Sequence, residues 1–415
     1  IGKFQEAEKI QRQALAALQA ALGNHHPITL SSFNNLGVLL QAIGKLQEAE
    51  EMQRQVVATR QEVLGDSHSQ TLVSLTNLGN TLQKAEKLQE AEEIQRQVLA
   101  AQQEVFGNSH LETSKSLSNL GITLQRAGKF QEAEEIQRQA LAALQGALGN
   151  SHLDTFKAIT NLGNTLQQAE KLHKAEEMQR QAVAGWQTEL GDSHPHTLTS
   201  LNNLGVTLQN SGKLQEAEAI HRQILAVRQE ILGNSHLETF QSMQNLGYTL
   251  YKAGKMQEAA KIQRQVLVGQ QELLGNSHSD TLKSLSNLGN TLQKAGKLKE
   301  AENIHRQALA AQQEVLGNSH SDTLSSLNNL GIILYRTGRL QEAEEIQRQV
   351  IMAQQEVLGN SHLNTLKSLS NLGHTLQKAG KLEEAEKIQK QALAALKGIL
   401  GNSHPNTLKV MRSLN

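Results

Sequence analysis

The triplet Asn-Leu-Gly returns every 42 residues without insertion or deletion, at Asn35, Asn77, Asn119, Asn161, Asn203, Asn245, Asn287, Asn329 and Asn371. A histidine keeps the same interval ten times, from His26 and His68 to His362 and His404. A fixed period of this length is the mark of one supersecondary unit stacked on copies of itself. It overrides the two or three domains that 415 residues would otherwise suggest, because each unit packs only on its neighbours and the array grows linearly. A stack of this kind makes a long surface, and long surfaces bind other molecules.

Within one unit, Leu30, Phe33, Leu36, Gly37 and Leu40 follow the i, i+3, i+4 spacing of a helix face, here called helix A. Ala42-Ile43-Gly44-Lys45 supplies a short turn, where Gly44 can take the left-handed conformation that ends a helix. A second pattern, helix B, runs through Leu46, Ala49, Met52, Val56 and Val63-Leu64 and ends at Gly65. Glu48, Glu50 and Glu51 near its start suit the positive end of the helix dipole. The only prolines, Pro27, Pro195 and Pro405, each follow the loop histidine, which marks the first turn of helix A. Counting predicts a half repeat over 1–24, with a helix B near 3–22, nine full repeats over about 25–402, and a partial repeat over 403–415. In that last part Val410, Met411 and Ser413 depart from the pattern. The opening Ile1-Gly2-Lys3-Phe4 matches the internal turn Ala127-Gly128-Lys129-Phe130, so the chain starts in mid-repeat, without an initiator Met, and reads as a fragment of a longer protein.

Composition narrows the chemistry. Apolar residues make up 38% but aromatic ones only 2%, so the core must be built from Leu, Ile, Val and Ala. The lack of cysteine excludes disulfides, thiolate metal sites and cysteine nucleophiles, and fits a reducing, cytoplasmic setting. No apolar run approaches the roughly 18 residues of a membrane span, and no signal peptide is visible. Forty basic and forty acidic side chains cancel, which argues against nucleic acid or an anionic membrane as partner. Loop histidines one repeat apart are separated by roughly 20 Å, two helix layers, whereas zinc ligands lie about 2 Å from one ion. A hydrogen bond fastening the loop is the better reading. His25, His173, His196, His221, His305 and His374 form no pattern. Gly289 to Lys297 resembles a phosphate loop only faintly, because six residues separate its glycines and Leu298 follows the lysine. No convergent acid, base or nucleophile is apparent, so no enzyme activity, metal or other cofactor is expected. Glycine at every turn makes the helices too short for a sustained coiled coil.

Helix pairs with Leu-Gly adjacent in helix A, and with Ala49, Ala91, Ala133, Ala175, Ala217, Ala259, Ala301, Ala343 and Ala385 early in helix B, resemble tetratricopeptide repeats. The 42-residue unit, the Asn before Leu-Gly and the Gly-x-x-His loop are similar to the kinesin light chain and nephrocystin-3 type. The resemblance implies an all-α fold, a single α-solenoid over 1–415 built as a right-handed superhelix of helix-turn-helix units. There are departures: Gln53, Gln95, His221 and His305 stand where mid helix B usually has an aromatic residue, and Glu86 and Glu170 replace the turn glycine.

In that family helix A lines the concave groove, at its second, fifth, sixth, ninth, twelfth and thirteenth positions. The nine asparagines hold the sixth. An Asn amide offers a donor and an acceptor together and so matches a peptide unit; the alternative is that it braces neighbouring helices. The twelfth position carries Gln41, Gln83, Gln125, Gln167, Gln209, Gln293 and Gln377, interrupted by Tyr251 and Tyr335. Lys84, Arg126, Lys252, Lys294, Arg336 and Lys378 hold the thirteenth, and Lys115, Lys157, Lys283 and Lys367 the second, with no acidic residue at any of these places. A cationic groove against a Glu-rich helix B favours an acidic ligand; the alternative is an ordinary solvated mixed-charge surface. The expectation is a non-enzymatic protein-interaction scaffold that binds an extended acidic peptide. The competing expectation is a sensor or regulatory array of a larger signalling or nucleotide-switch protein. Half-units with apolar faces at both ends leave room for self-association.

Overall fold

Glycine and histidine punctuate a chain that is otherwise helix. A computed structural model describes residues 2–414, and every element in it is an α-helix. One compact unit ends at Lys213 and a second begins at Leu214. The first holds α1 (Gly2–Leu22), α2 (Pro27–Ala42), α3 (Leu46–Leu64), α4 (Ser69–Lys84), α5 (Leu88–Phe106), α6 (Leu111–Arg126), α7 (Phe130–Leu148), α8 (Leu153–Gln168), α9 (Leu172–Leu190) and α10 (Pro195–Asn210). The second holds α11 (Leu214–Leu232), α12 (Leu237–Lys252), α13 (Met256–Leu274), α14 (Ser279–Lys294), α15 (Leu298–Leu316), α16 (Ser321–Arg336), α17 (Leu340–Leu358), α18 (Leu363–Lys378), α19 (Leu382–Leu400) and α20 (Pro405–Leu414). From α2 on, even-numbered helices are A helices and odd-numbered ones B helices. Each unit is a solenoid of helix hairpins packed on their sequence neighbours.

The loop histidines are the caps of the A helices. In nine loops, from His26 to His362, the ring Nδ1 accepts the backbone N–H two residues on, at 3.2 Å from Gln70 and 3.1 Å from Asp154. This satisfies one of the orphan donors at a helix start. A threonine three residues after the histidine completes the loop: Thr155 Oγ1 donates to the carbonyl of Gly149 at 2.8 Å, and Thr197 and Thr281 repeat the bond with Gly191 and Gly275. At the other end of the A helices, Lys45 N–H bonds Leu40 C=O at 2.9 Å around Gly44, whose φ is 85°, in the manner of a Schellman cap.

Two repeats keep this cap without glycine: Glu86 and Glu170 both sit at φ 60°. A side chain at positive φ is strained. The variant Glu170→Gly is therefore expected to raise stability by about 1 kcal/mol, seen as a higher denaturation midpoint. An unchanged or lower midpoint would show that the entropy gained by the unfolded chain outweighs the relieved strain.

Leucines of the A helices and small residues of the B helices form the core. In the first unit Leu36, Leu40 and Ala49 are fully buried against Leu15, and in the second Leu288, Leu292, Ala301 and Ala308 play the same part. The pattern read for helix B needs one correction: Val63 is 59% exposed and Leu64 also faces solvent, because the buried stripe of α3 ends at Arg60. Gln53, Val57 and Arg60 are buried in that helix instead.

The place of the missing mid-helix aromatic is now clear. Gln53 lies against Gly37, Gln95 against Gly79 and His305 against Gly289, close enough that a Cβ on Gly37 would come within 2.9 Å of Gln53 Cγ. The invariant Leu-Gly glycine is thus a site of close helix approach.

The B helices carry a second regularity that the sequence pattern did not reveal. Glu50, placed by the sequence at the positive end of the helix dipole, is buried and held by Arg54 one turn on, at 3.0 Å, and by Lys87 of the next turn, at 2.9 Å. The arrangement recurs at Glu92 with Arg96 and Lys129, and at Glu218 with Arg222 and Lys255. The same arginines reach the following B helix, Arg54 to Glu90 and Arg222 to Glu258. Burial is the largest single influence on the Glu50 carboxyl and pushes its pKa up, but the bonds from Lys87 and Arg54 together prevail and hold it below the ordinary value.

Candidate ligand-binding face

Consecutive A helices touch: α2 meets α4, α4 meets α6, α6 meets α8, and in the second unit α14 meets α16 and α16 meets α18. B helices are joined chiefly through the long ion pairs described above, so the A row is the more closely spaced of the two.

On this A face the asparagine row divides. Asn35 and Asn287 are exposed, while Asn77, Asn119, Asn161, Asn203, Asn245, Asn329 and Asn371 are half-buried. Three rungs brace the preceding repeat: Asn77 Nδ2 donates to Asn34 Oδ1 at 3.0 Å, Asn329 to Asn290 at 2.8 Å and Asn371 to Asn328 at 3.4 Å. At those rungs one donor is committed to a neighbour and the acceptor stays open.

The basic positions are less free than their sequence suggests. Lys115 pairs with Glu112 at 2.8 Å, Lys157 with Asp154 at 2.9 Å and Lys283 with Asp280 at 3.8 Å, each within its own helix. Lys367 lies exposed. At the thirteenth position Arg126 donates to the carbonyl of Gln83 at 2.9 Å and pairs with Glu86. Arg336 and Lys378 likewise donate to the carbonyls of Gln293 and Tyr335, at 3.1 and 3.4 Å. These side chains cap the C-terminal end of the preceding A helix, adding a second, charged donor to carbonyls that already accept a turn N–H. Lys84 is exposed, whereas Lys252 lies over the ring of Tyr248 at 5.4 Å and Lys294 over that of Tyr251 at 4.3 Å.

Around these two lysines is a cleft of about 450 Å³, lined also by Gln263, Asn287, Asn290 and Thr291. In the first unit a smaller cleft of about 250 Å³ lies between α2 and α4, with Arg60 in its wall. Sequence reasoning missed Arg60 because it belongs to a B helix; its signal is an arginine on the apolar stripe. Among the described residues no three His, Asp or Glu side chains gather as they would around a metal ion, and no helix is long and apolar enough to cross a membrane.

Comparison with known proteins agrees with this architecture. The quorum sensor NprR of B. thuringiensis, in its apo form, superposes with a TM-score of 0.57 at 14% identity, covering 91% of this chain and 99% of that one. A Rap protein complexed with competence and sporulation factor gives 0.51 at 13% identity, over 93% and 96%. A putative kinesin light chain from Podosopora anserina with nearly identical repeats gives 0.46 at 28% identity, covering 50% of this chain and 98% of its own. No curated protein matches. The tetratricopeptide repeat model matches in overlapping stretches from residue 1 to 414, leaving only 147–153 outside. The chain belongs to the tetratricopeptide repeat family.

Proposed function

We propose that the chain is a non-enzymatic protein-interaction scaffold whose A face takes an extended, acidic peptide. The observation that carries this reading is a difference between the two faces. On the B face the buried glutamates and their arginines and lysines satisfy one another. On the A face Asn77, Asn329 and Asn371 each keep the amide oxygen open while the amide nitrogen is bonded to a neighbour, and clefts large enough for side chains lie between A helices. A peptide is the ligand whose repeating N–H and C=O groups suit a row of amides. The quorum sensor NprR and the Rap complex with its factor use the same fold, which agrees with a scaffold or sensor array.

The test is the pair Asn119→Ala and Asn161→Ala, two rungs of the first unit. Losing two hydrogen bonds of about 1 kcal/mol each should weaken binding of an acidic peptide pool roughly tenfold or more. Circular dichroism should leave the helix content unchanged. If the pair instead melts the array, these asparagines are braces and the site assignment fails.

A further inference from the structure

Arg60 is only 4% exposed, and among the described residues no carboxylate lies within ion-pairing distance of it. Its Nη1 donates to Ser74 Oγ at 2.7 Å and to the carbonyl of Gln70 at 3.0 Å, and its Nη2 reaches Ser31 Oγ at 3.3 Å. Its Nε finds no acceptor. A guanidinium has five N–H donors and carries its charge at any ordinary pH. Buried charges are paired as a rule, since an uncompensated one is costly.

The chain contains its own control. Arg228 stands four repeats on, at the same place in its B helix, and makes the same two bonds, to Ser242 Oγ at 2.9 Å and to the carbonyl of Glu238 at 3.0 Å. There, however, the carboxylate of Glu238 lies 3.3 Å from the guanidinium. The residue equivalent to Glu238 beside Arg60 is Gln70, which is neutral. The Arg60 site is therefore the Arg228 site without its acid, and it opens on the cleft lined by Ser31, Asn34, Asn35 and Val73.

We infer that Arg60 is an anchor for a carboxylate of the bound peptide, which takes the place that Glu238 holds beside Arg228. The inference rests on the peptide-scaffold reading and adds to it a fixed point of register. Asn35, exposed beside the cleft, is placed to bond the peptide backbone next to the anchored acid. The chemistry is that of a carboxylate, because the internal template is one, and the small cleft suits a single acidic side chain.

The experiment uses the whole chain and three peptide probes of equal length. One has internal Asp and Glu with an amidated C-terminus, one carries Asn and Gln in their place, and one is neutral with a free C-terminal carboxylate. Two variants are compared with the parent chain. Gln70→Glu supplies the acid internally, as Glu238 does. Arg60→Gln installs the residue that Gln102 and Gln270 already hold at this place in other repeats.

The expected result is tight binding of the first probe and at least a tenfold loss in both variants, with helix content unchanged. Preference for the free C-terminus, abolished by the same variants, would retain Arg60 as the anchor and change the source of the carboxylate. If the parent binds the acidic probe and Gln70→Glu does not weaken it, the anchor is overturned and the groove stands. If the parent binds none of the three probes, both readings fall. Should Arg60→Gln unfold, Gln70→Glu decides the matter alone.

Discussion

Replacing Gly269 with alanine is expected to destabilise the second unit by about 2 kcal/mol, although the same change in an open helix would stabilise it by about 1 kcal/mol. Gly269 lies inside α13, where glycine is ordinarily the poorest choice short of proline. A Cβ there would stand 2.2 Å from Cζ of Phe240, which is buried on the facing A helix. An overlap of that size forces a buried ring or a backbone to move. Most repeats instead have leucine in place of Phe240, as at Leu72 and Leu282, and alanine in place of Gly269, as at Ala101 and Ala311. The double variant Gly269→Ala with Phe240→Leu should therefore recover most of the loss. Denaturation midpoints of the two single variants and the double variant form a cycle with a large favourable coupling. Additive effects would mean that the ring and the glycine are independent, contrary to the packing. Gly185, whose Cβ would meet Phe156 at the same 2.2 Å, offers a second copy of the test in the first unit.

The second large effect concerns acid. His221 and His305 replace the buried glutamine of mid helix B and are almost wholly enclosed. Nδ1 of His221 bonds Thr249 Oγ1 at 2.8 Å, and the ring of His305 lies against Gly289. Burial lowers the pKa of each from the ordinary 6.5 to about 4. The unfolded chain thus takes up a proton below pH 6.5 that the folded chain refuses until about pH 4. Stability conferred by the neutral rings is complete above pH 6.5 and falls as the pH drops through that window. The loss reaches roughly 3 kcal/mol for each histidine at the acid end. The expected outcome is that His221→Gln with His305→Gln, which installs the residue of the other repeats, flattens the stability curve between pH 6.5 and 4. An identical slope in the double variant would refute the assignment. The glutamates of the B face act in a lower range: their carboxyls are held below the ordinary value of 4.5, so their contribution is present above it and disappears as the pH falls further.

Much of this architecture can be read from the one-dimensional pattern, because a period of 42 residues forces copies of one hairpin, and the glycines, prolines and histidines mark its corners. The histidine caps follow from the same reasoning, since a residue that recurs at a helix start has an orphan N–H to satisfy. What escaped was every relation between side chains in different repeats. Glu50 looks like a solvated helix-start acid until Lys87, 37 residues away, is seen beside it. The groove lysines look free until Glu112 and Asp154 are found on the same helix turn. Arg60 reads as one more polar residue on a helix, and only its burial and the contrast with Arg228 single it out.

The Phe240–Gly269 fit and the Glu50–Lys87 bond differ in where their halves lie. Both members of the first are inside one hairpin, so a duplication that copies the hairpin copies the fit intact. The second spans a joint: a repeat brings the acid for the joint on one side and the base for the joint on the other, as in Glu92 with Lys129 and Glu302 with Arg339, although α13 carries Ala260 in place of the acid. Any two copies that keep both the acid and the base therefore match when set side by side, whatever each carries in its own interior. Local variation can accumulate inside single repeats while such joints stay interchangeable, so the array can lengthen or shorten by repeats that keep the pair and still close those seams.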